Sequence, residues 1–254
     1  MLALVTGASS GFGYAISQAL IQQGYRVIGA ARRLDKLQQM QAELGTAFFP
    51  LCLDVTASHQ QLATALNTLP PEFSLSHVSV LVNNAGLALG LDAADTANLD
   101  EWQTMLDTNI KGLMNMSRLV LPHMVEKKTG IIINLGSIAG TYPYPGGNVY
   151  GATKAFVAQF SLNLRADLAG TGVRVTNIEP GLCGGTEFSV VRFHGNADKA
   201  QQLYQNTAPL LPEDIANTVA WIVSQPAHVN INRIELMPTS QSFNPLKVTP
   251  TASH

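Results

Sequence analysis

The alternation of short β-rich runs with longer helical patterns is the feature that most limits how this sequence can fold. Apolar runs rich in Val, Ile and Leu alternate with segments of helical periodicity, which favours βαβ units and a parallel sheet covered on both faces. The predicted strands span residues 2–6, 26–31, 47–53, 78–83, 130–135, 173–178 and 231–236. The sequence therefore predicts an α/β protein with a doubly wound, seven-stranded parallel sheet.

Helix boundaries are marked by glycine, proline and acidic residues. The first helix is predicted to begin near Gly11 and to end before Gly24, a long helix spans 99–126, and another spans 150–168. Pro212, followed by two carboxylates, opens a later helix. Residues 181–197 have little periodicity and many small side chains, and we interpret them as a mobile substrate loop.

Length and composition predict one domain. The chain has 254 residues, without a linker, charge block or internal repeat, so a single domain over 1–254 is expected, with a disordered tail at about 249–254. A net charge of -2 offers no basic surface for nucleic acid or an anionic membrane. Charged residues make up 13% of the chain, about half the usual share, which favours burial of surface in a homo-oligomer.

Compartment and metal content follow from what the sequence contains. No export signal precedes the first motif and no apolar run approaches the roughly 18 residues of a membrane span, so a cytoplasmic protein is expected. Cys52 and Cys183 are isolated, which suggests a reducing compartment and two packing residues. The six histidines are scattered, so a metal site has little support.

A glycine-spaced turn follows the first predicted strand. Gly7, Gly11 and Gly13 let the backbone turn tightly and let a pyrophosphate approach the positive end of the next helix. Their spacing differs from the Gly-x-Gly-x-x-Gly fingerprint, and three glycines alone could form an ordinary turn. The strand before them and the helix after them favour a dinucleotide site.

Two arginines follow the second predicted strand, where NAD-binding sites carry an acidic residue. Arg32 and Arg33 suit a 2′-phosphate, because a guanidinium pairs bidentately with phosphate and a carboxylate repels it. We therefore predict NADP(H). The alternative is that they lie at a solvated helix start and pair with Asp35.

Polar residues also follow the third and fourth strands. Asp54 is placed to receive an adenine amino group, although a turn carboxylate is the alternative. In the tetrapeptide Asn83–Gly86, amides and a glycine can hold the sheet edge and approach the ribose, or form only a turn.

Tyr150 and Lys154 stand four residues apart on a predicted helix, thirteen residues after Ser137. The i and i+4 positions share a helix face, so a phenol and an ammonium can point into one site. Bringing the pKa of tyrosine from about 10 to 7 requires roughly 4 kcal/mol, which a lysine charge about 4 Å away can supply. Alone, such a pair is more often a solvated helix face.

Together these motifs resemble the short-chain dehydrogenase/reductase family, over nearly the whole chain. The resemblance is carried by the glycine turn, Asn83–Gly86, Asn109, Ser137, Tyr150, Lys154 and Pro180-Gly181. It implies a Rossmann-type domain with strand order 3-2-1-4-5-6-7, a nicotinamide cofactor and usually a homotetramer. The cofactor residues that it implies, with those argued above, are Gly7, Ser9, Gly11, Phe12, Gly13, Arg32, Arg33, Asp54, Val55, Asn83, Ala85, Gly86, Tyr150, Lys154, Pro180, Gly181 and Thr186.

The resemblance also implies catalytic roles. Tyr150 would exchange a proton with the substrate oxygen, Lys154 would lower the pKa of Tyr150 and hold the ribose, and Ser137 would hydrogen-bond the substrate oxygen. Asn109 would hold a water in a proton relay, although a solvent-facing helix asparagine is the alternative. Thr186 would bond the nicotinamide carboxamide.

Residues 146–156, 179–188, 191–195 and 226–232 resemble the NADP-dependent 3-hydroxy acid dehydrogenases more closely. This implies serine, allo-threonine and related 3-hydroxy acids as substrates, and malonic semialdehyde in the reductive direction. Arg192 could bind the substrate carboxylate, or be a surface or interface arginine. Asn148 could line the pocket, and Glu187 could meet a substrate ammonium or pair with Arg192.

Two other functions are compatible with parts of the pattern. A reductase of another carbonyl class, such as 3-ketoacyl esters or neutral ketones, would share the catalytic residues, although no basic bias toward an acidic carrier is visible. A non-catalytic dinucleotide sensor would not need Ser137, Tyr150 and Lys154, all of which are present.

Overall fold

A seven-stranded parallel sheet forms the centre of the protein. The computed structural model describes residues 1–243, and the tail predicted at 249–254 lies outside them. The strands β1 to β7 are Leu2–Thr6, Arg26–Ala31, Phe48–Cys52, Val78–Asn83, Gly130–Leu135, Val173–Pro180 and Arg233–Leu236. Their order is β3-β2-β1-β4-β5-β6-β7 with every neighbouring pair parallel, so the predicted fold class and strand order are confirmed.

Helices cover both faces of this sheet. The α-helices α1 to α9 within the described residues are Gly11–Gln22, Leu34–Leu44, His59–Asn67, Leu99–Leu106, Leu113–Glu126, Asn148–Asp167, Phe188–Arg192, Ala197–Gln202 and Pro212–Ser224. On one face, α1 and α9 pack on the sheet through residues such as Ile16, Leu20 and Val219. On the other face, α5 does so through Met116, Val120 and others. Among residues 1–243, no helix is long and apolar enough to cross a bilayer.

The predicted long helix is continuous but changes its winding. A π-helical segment, Asp107–Gly112, joins α4 to α5. Such segments insert an extra residue per turn and are frequent at functional sites. Asn109 lies in this segment and is 2% exposed, so it faces the interior and not solvent.

The predicted start of β7 and the predicted loop at residues 181–197 were wrong for identifiable reasons. β7 begins at Arg233 and not at residue 231, because the Asn230 side chain takes the place of a strand neighbour: its amide accepts from Val175 N at 2.7 Å and donates to Val175 O at 3.0 Å. Residues 181–197, expected to be a loop, contain α7. This short helix is fixed by tertiary contacts, including a hydrogen bond from Gly90 N to Arg192 O at 3.1 Å.

Candidate active site

The β1–α1 connection is a tight turn whose shape requires glycine. Gly7 and Gly11 have φ values of 64° and 52°. A Cβ on Gly13 would lie 2.2 Å from the carbonyl oxygen of Gly7, so even alanine would disrupt the turn. The close approach exposes the N-terminus of α1, whose free N–H groups suit an anion. This cradle fits the pyrophosphate of a dinucleotide.

The two arginines after β2 lie differently. Arg32 is exposed, whereas Arg33 is half-buried and turned toward the glycine turn. Arg33 Nη2 donates to Ser10 Oγ at 2.9 Å, and its Nε donates to Ser9 Oγ at 3.3 Å. Its carboxylate partner is Glu187 rather than Asp35. A guanidinium placed beside the dinucleotide turn has the position that a 2′-phosphate site requires.

Asp54 closes a turn after β3. Its Oδ1 accepts from Thr56 N at 2.9 Å and from Thr56 Oγ1 at 2.8 Å, the turn role that the sequence left open. Val55 beside it is buried against Gly112, where a Cβ would lie 2.9 Å from Val55 Cγ2. An adenine contact by Asp54 stays a prediction.

The side chain of Asn83 points into the core. Its amide donates to Ser117 Oγ at 3.0 Å and to Asn134 Oδ1 at 2.9 Å, linking β4 to α5 and β5. Asn134 in turn donates to Ser161 Oγ on α6 at 2.9 Å. A contact of Asn83 with a cofactor would therefore use its backbone.

The Asn84 amide, expected from the sequence to hold the sheet edge, and Thr6, which sequence reasoning did not single out, hold the cofactor turn in place. Thr6 Oγ1 accepts from the backbone N–H groups of Asn84 and Ala85, each at 3.0 Å. Asn84 Nδ2 donates back to Thr6 O at 2.9 Å and to Gly7 O at 3.2 Å. The carboxyl ends of β1 and β4 are thus locked together. The signal for Thr6 in the sequence was its position at the end of a predicted strand, directly before the glycine turn.

Tyr150 and Lys154 lie on the inner face of α6, and each is 7% exposed. Lys154 Nζ lies 5.8 Å from the centroid of the Tyr150 ring and donates to Leu135 O at 2.8 Å. A Cβ on Gly86 would lie 3.5 Å from this Nζ, so the glycine leaves the lysine accessible from the cofactor side. The predicted pair is brought together in one buried site and is not a solvated helix face.

Burial moves the pKa values of both groups. It raises the pKa of the Tyr150 phenol above its ordinary value, and a hydrogen bond with the Ser137 side chain lowers it by less. Burial lowers the pKa of Lys154 to about 8. Burial is the largest influence on the phenol, and the expected lowering of its pKa by Lys154 stays a prediction. The resting phenol is protonated, as an acid toward a carbonyl must be.

Ser137 lies at the start of a short 3₁₀ turn, Ile138–Gly140, directly after β5. Its Oγ accepts from Ala139 N at 3.1 Å, which fixes the hydroxyl at the end of the strand. A Cβ on Gly140 would lie 2.7 Å from the backbone carbon of Lys154, so this turn packs directly on α6. That contact sets Ser137 beside Tyr150.

Asn109 connects the π segment to the catalytic helix. Its Oδ1 accepts from Leu87 N at 2.9 Å, and its Nδ2 donates to Leu87 O at 2.8 Å and to Thr153 Oγ1 at 3.1 Å. The side chain thus holds residue 87 against the helix that carries Tyr150 and Lys154. The predicted relay water is not tested by this arrangement.

Arg192, from the segment expected to be a loop, reaches the phenol. Its guanidinium carbon lies 5.6 Å from the centroid of the Tyr150 ring and 5.5 Å from that of Tyr144. Its Nη2 donates to Tyr144 Oη at 2.8 Å, and its Nε donates to Gly90 O at 3.2 Å. The charge is therefore held in one position beside the reactive side chain.

Asn148 begins α6 and contacts the same neighbouring loop. Its Nδ2 donates to Asp92 O at 3.2 Å, and its Oδ1 accepts from Val149 N at 2.7 Å. Arg192 and Asn148 thus hold residues 90–92 from two sides. Phe188 lies 5.9 Å from the Tyr150 ring and adds an apolar wall.

The end of β6 brings the last predicted cofactor residues to the glycine turn. Pro180 ends the strand, and Gly181 N donates to Leu236 O at 2.7 Å. Thr186 packs against Gly11, where a Cβ would lie 3.1 Å from Thr186 Cγ2. The segment after β6 therefore lies over the N-terminus of α1, where a cofactor would be enclosed.

The structure settles the surroundings of Glu187 and of the two cysteines. Glu187 pairs with Arg33 and not with Arg192, at 2.8 Å between Oε2 and Nη2. Cys52 is exposed, so the expectation that it packs in the core is wrong. Cys183 packs against the core, and burial raises the pKa of its thiol to about 12.

Comparison with known proteins agrees with this geometry. The chain is 60% identical to a probable NADP-dependent dehydrogenase of Haemophilus influenzae over 247 residues, 97% of each chain. It is 55% identical to the NADP-dependent 3-hydroxy acid dehydrogenase YdfG of Escherichia coli K12 over 248 residues, 98% of this chain and 99% of that protein. The closed form of a serine dehydrogenase complexed with NADP+ superposes with a TM-score of 0.96 at 55% identity, covering 99% of this chain and 100% of the other.

The short chain dehydrogenase family matches residues 1–196, more than half of the chain. That match includes the glycine turn, both arginines after β2, the buried tyrosine and lysine, and Arg192. By this match and by its close relatives, the chain belongs to the short-chain dehydrogenase family.

Proposed function

We propose that this protein is an NADP-dependent oxidoreductase that interconverts small 3-hydroxy acids and the corresponding 3-oxo acids. Relatives at 55% and 52% identity are a 3-hydroxy acid dehydrogenase and a serine 3-dehydrogenase, and both align over more than nine-tenths of the chain. The candidate substrates are L-serine, L-allo-threonine, 3-hydroxyisobutyrate and 3-hydroxypropionate, with malonic semialdehyde in the reductive direction.

The observation that carries the substrate class is the position of Arg192. Its guanidinium lies 5.6 Å from the ring that exchanges the proton, and Tyr144 and Gly90 hold it there. A carboxylate bound bidentately by this fork would place a nearby hydroxyl-bearing carbon against Tyr150. A neutral ketone would make no use of this charge.

The chain's own residues handle the proton and the charge. A bound nicotinamide supplies or accepts the hydride at its C4. In reduction, Tyr150 gives its phenolic proton to the carbonyl oxygen, and Ser137 donates a hydrogen bond to the same oxygen as negative charge develops. The Lys154 ammonium stabilises the phenolate that remains. Oxidation uses the same groups in reverse.

The residues after β2 account for the proposed preference for NADP over NAD. Arg33 faces the glycine turn through Ser9 and Ser10, and Arg32 lies beside it at the surface. A guanidinium at this position favours a 2′-phosphate over a bare ribose hydroxyl. The NADP dependence of the similar dehydrogenases from Haemophilus influenzae and Escherichia coli supports the same cofactor.

Assembly and location complete the proposal. A homotetramer is supported by the low charge content of 13% and by exposed apolar side chains on the helices, including Trp221 at 53% and Leu162 at 44% exposure. A cytoplasmic location is supported by Cys52 and Cys183, which are both free thiols, as expected in a reducing compartment.

The direct test follows NADPH absorbance with purified protein and malonic semialdehyde, and then NADP and NAD reduction with L-serine, L-allo-threonine and 3-hydroxyisobutyrate. Turnover of the acids with a clear preference for NADP is the expected result. Tyr150→Phe should lose at least about 100-fold in kcat while still binding NADPH. Tight NADPH binding without turnover of any acid would redirect the search to neutral carbonyls or carrier-bound esters.

A further inference from the structure

Glu187 connects the segment after β6 to the cofactor end of β2. Its carboxylate pairs with both terminal nitrogens of Arg33: Nη2 lies 2.8 Å from Oε2 and Nη1 lies 3.2 Å from Oε1. The two residues are 154 positions apart in the chain. This bidentate pair therefore joins the segment that carries Thr186 and Arg192 to the predicted cofactor site.

The same guanidinium faces the glycine turn. Arg33 Nη2 also donates to Ser9 Oγ at 3.2 Å and to Ser10 Oγ at 2.9 Å. Among the described residues, Arg33 is the one arginine whose guanidinium is directed at this turn, and the 2′-phosphate of NADP is expected beside it. The Glu187 carboxylate already pairs with that guanidinium. Arg33 lowers the pKa of this carboxyl, so Glu187 is charged at neutral pH.

A carboxylate and a phosphate bind a guanidinium through the same pair of parallel N–H groups. Glu187 and a 2′-phosphate cannot both hold Nη1 and Nη2 of Arg33, and the two anions repel each other. The ion pair is 41% and 52% exposed, so it is weak and easily displaced. A phosphate that carries close to two charges is the stronger partner.

We propose that Glu187 is a specificity-determining residue, whose carboxylate competes with the 2′-phosphate of NADP for Arg33. This inference rests on the proposed use of Arg33 in NADP binding. NAD leaves the Arg33–Glu187 pair intact, whereas NADP replaces it and releases Glu187. The carboxylate therefore weakens NADP binding without affecting NAD, and it couples the cofactor phosphate to the segment that carries Arg192.

The test uses two nucleotides that differ only in the 2′-phosphate, adenosine 2′,5′-bisphosphate and 5′-AMP, with calorimetry on the full chain. Glu187→Gln keeps the shape and removes the charge. The variant should bind the bisphosphate about 3- to 5-fold more tightly, the equivalent of one exposed ion pair, and should bind 5′-AMP as the wild type does. In an Arg33→Ala background, the same substitution should have no effect.

Asp35→Asn is the matched control, because Asp35 is an exposed acid two residues from Arg33 and removing it changes the net charge equally. Equal tightening by this variant would mean a long-range charge effect and would overturn the inference. Weaker or unchanged binding of the bisphosphate by Glu187→Gln would also overturn it. If the wild type binds both nucleotides equally, the assignment of Arg33 to NADP fails, and the inference fails with it.

Discussion

The Arg192 guanidinium lies 5.6 Å from the ring of Tyr150, the proposed proton donor. The two residues come from different elements, α7 and α6, and Tyr144 contacts the guanidinium with both its ring and its hydroxyl. A fixed positive charge beside a buried phenol is the basis for the proposed preference for anionic substrates. It also contributes a small lowering of the pKa of Tyr150, against the larger effect of burial.

Replacing Arg192 should raise the KM for acidic substrates but not for neutral ones. Arg192→Ala removes a charge-assisted hydrogen-bonding fork, so the KM for 3-hydroxyisobutyrate should rise about 10- to 100-fold. The KM of Arg192→Lys should lie between those of the wild type and Arg192→Ala, since lysine keeps the charge but lacks the two-pronged guanidinium. Steady-state kinetics with the acid and with its methyl ester measures the effect. An unchanged KM for the acid, or an equal loss on the ester, would show that Arg192 does not bind the carboxylate.

Tyr144 should act through Arg192. Tyr144→Phe keeps the ring against the guanidinium and removes the oxygen that accepts from Nη2 at 2.8 Å. We expect the KM for the acid to rise about 2- to 10-fold, the range of one hydrogen bond, with little change in kcat. Tyr142→Phe is the control, because that hydroxyl donates to Glu235 instead. In an Arg192→Ala background the effect of Tyr144→Phe should vanish, and persistence there would contradict the positioning role.

Strand positions and the catalytic spacing were predictable because they depend on local patterns. Runs such as Val78–Asn83 are rich in valine and leucine, and the i, i+4 rule alone places Tyr150 and Lys154 on one face. The order of the strands was implied only by the resemblance to a family. Periodicity identifies elements but does not say which strands are neighbours.

What the sequence could not supply were contacts between distant segments. The partner of Glu187 is 154 residues away, and the sequence alone does not distinguish Arg33 from a substrate ammonium or Arg192 as that partner. The helix at Phe188–Arg192 is too short to give a periodic pattern and depends on contacts with Gly90. The pKa of Tyr150 likewise depends on the depth of burial, which a pairwise distance argument does not include.

Gly13 provides a test of the cofactor cradle. A Cβ there would lie 2.2 Å from Gly7 O, and backbone cannot move aside as a flexible side chain can. Gly13→Ala should weaken NADP binding at least about 10-fold and lower stability by several kcal/mol through overpacking. Gly24→Ala is the control: it has a positive φ of 85° but open space around it. Gly24→Ala should lose some stability, measured by urea denaturation, but should bind NADP normally, measured by calorimetry. Normal NADP binding by Gly13→Ala would contradict the cradle.

Lys154 should make stability depend on pH in a defined direction. Burial lowers the pKa of Lys154 from 10.5 to about 8. Below pH 8 the folded protein holds a buried charge that the unfolded chain exposes to water, so this lysine destabilises the fold. Between about pH 8 and 10.5 the unfolded chain binds more protons at this group than the folded one does, and stability rises with pH.

Comparison with Lys154→Met isolates this effect, because methionine does not titrate. Urea denaturation should show that wild type gains on the order of 2 kcal/mol relative to Lys154→Met between pH 7 and pH 10. Lys127→Met, at an exposed position after α5, should show no comparable change. A constant difference between wild type and Lys154→Met across this range would mean that the lysine is not buried as a charge. Turnover is measured separately on the folded Lys154→Met variant. A loss of turnover there would show that the lysine contributes to catalysis although it lowers stability.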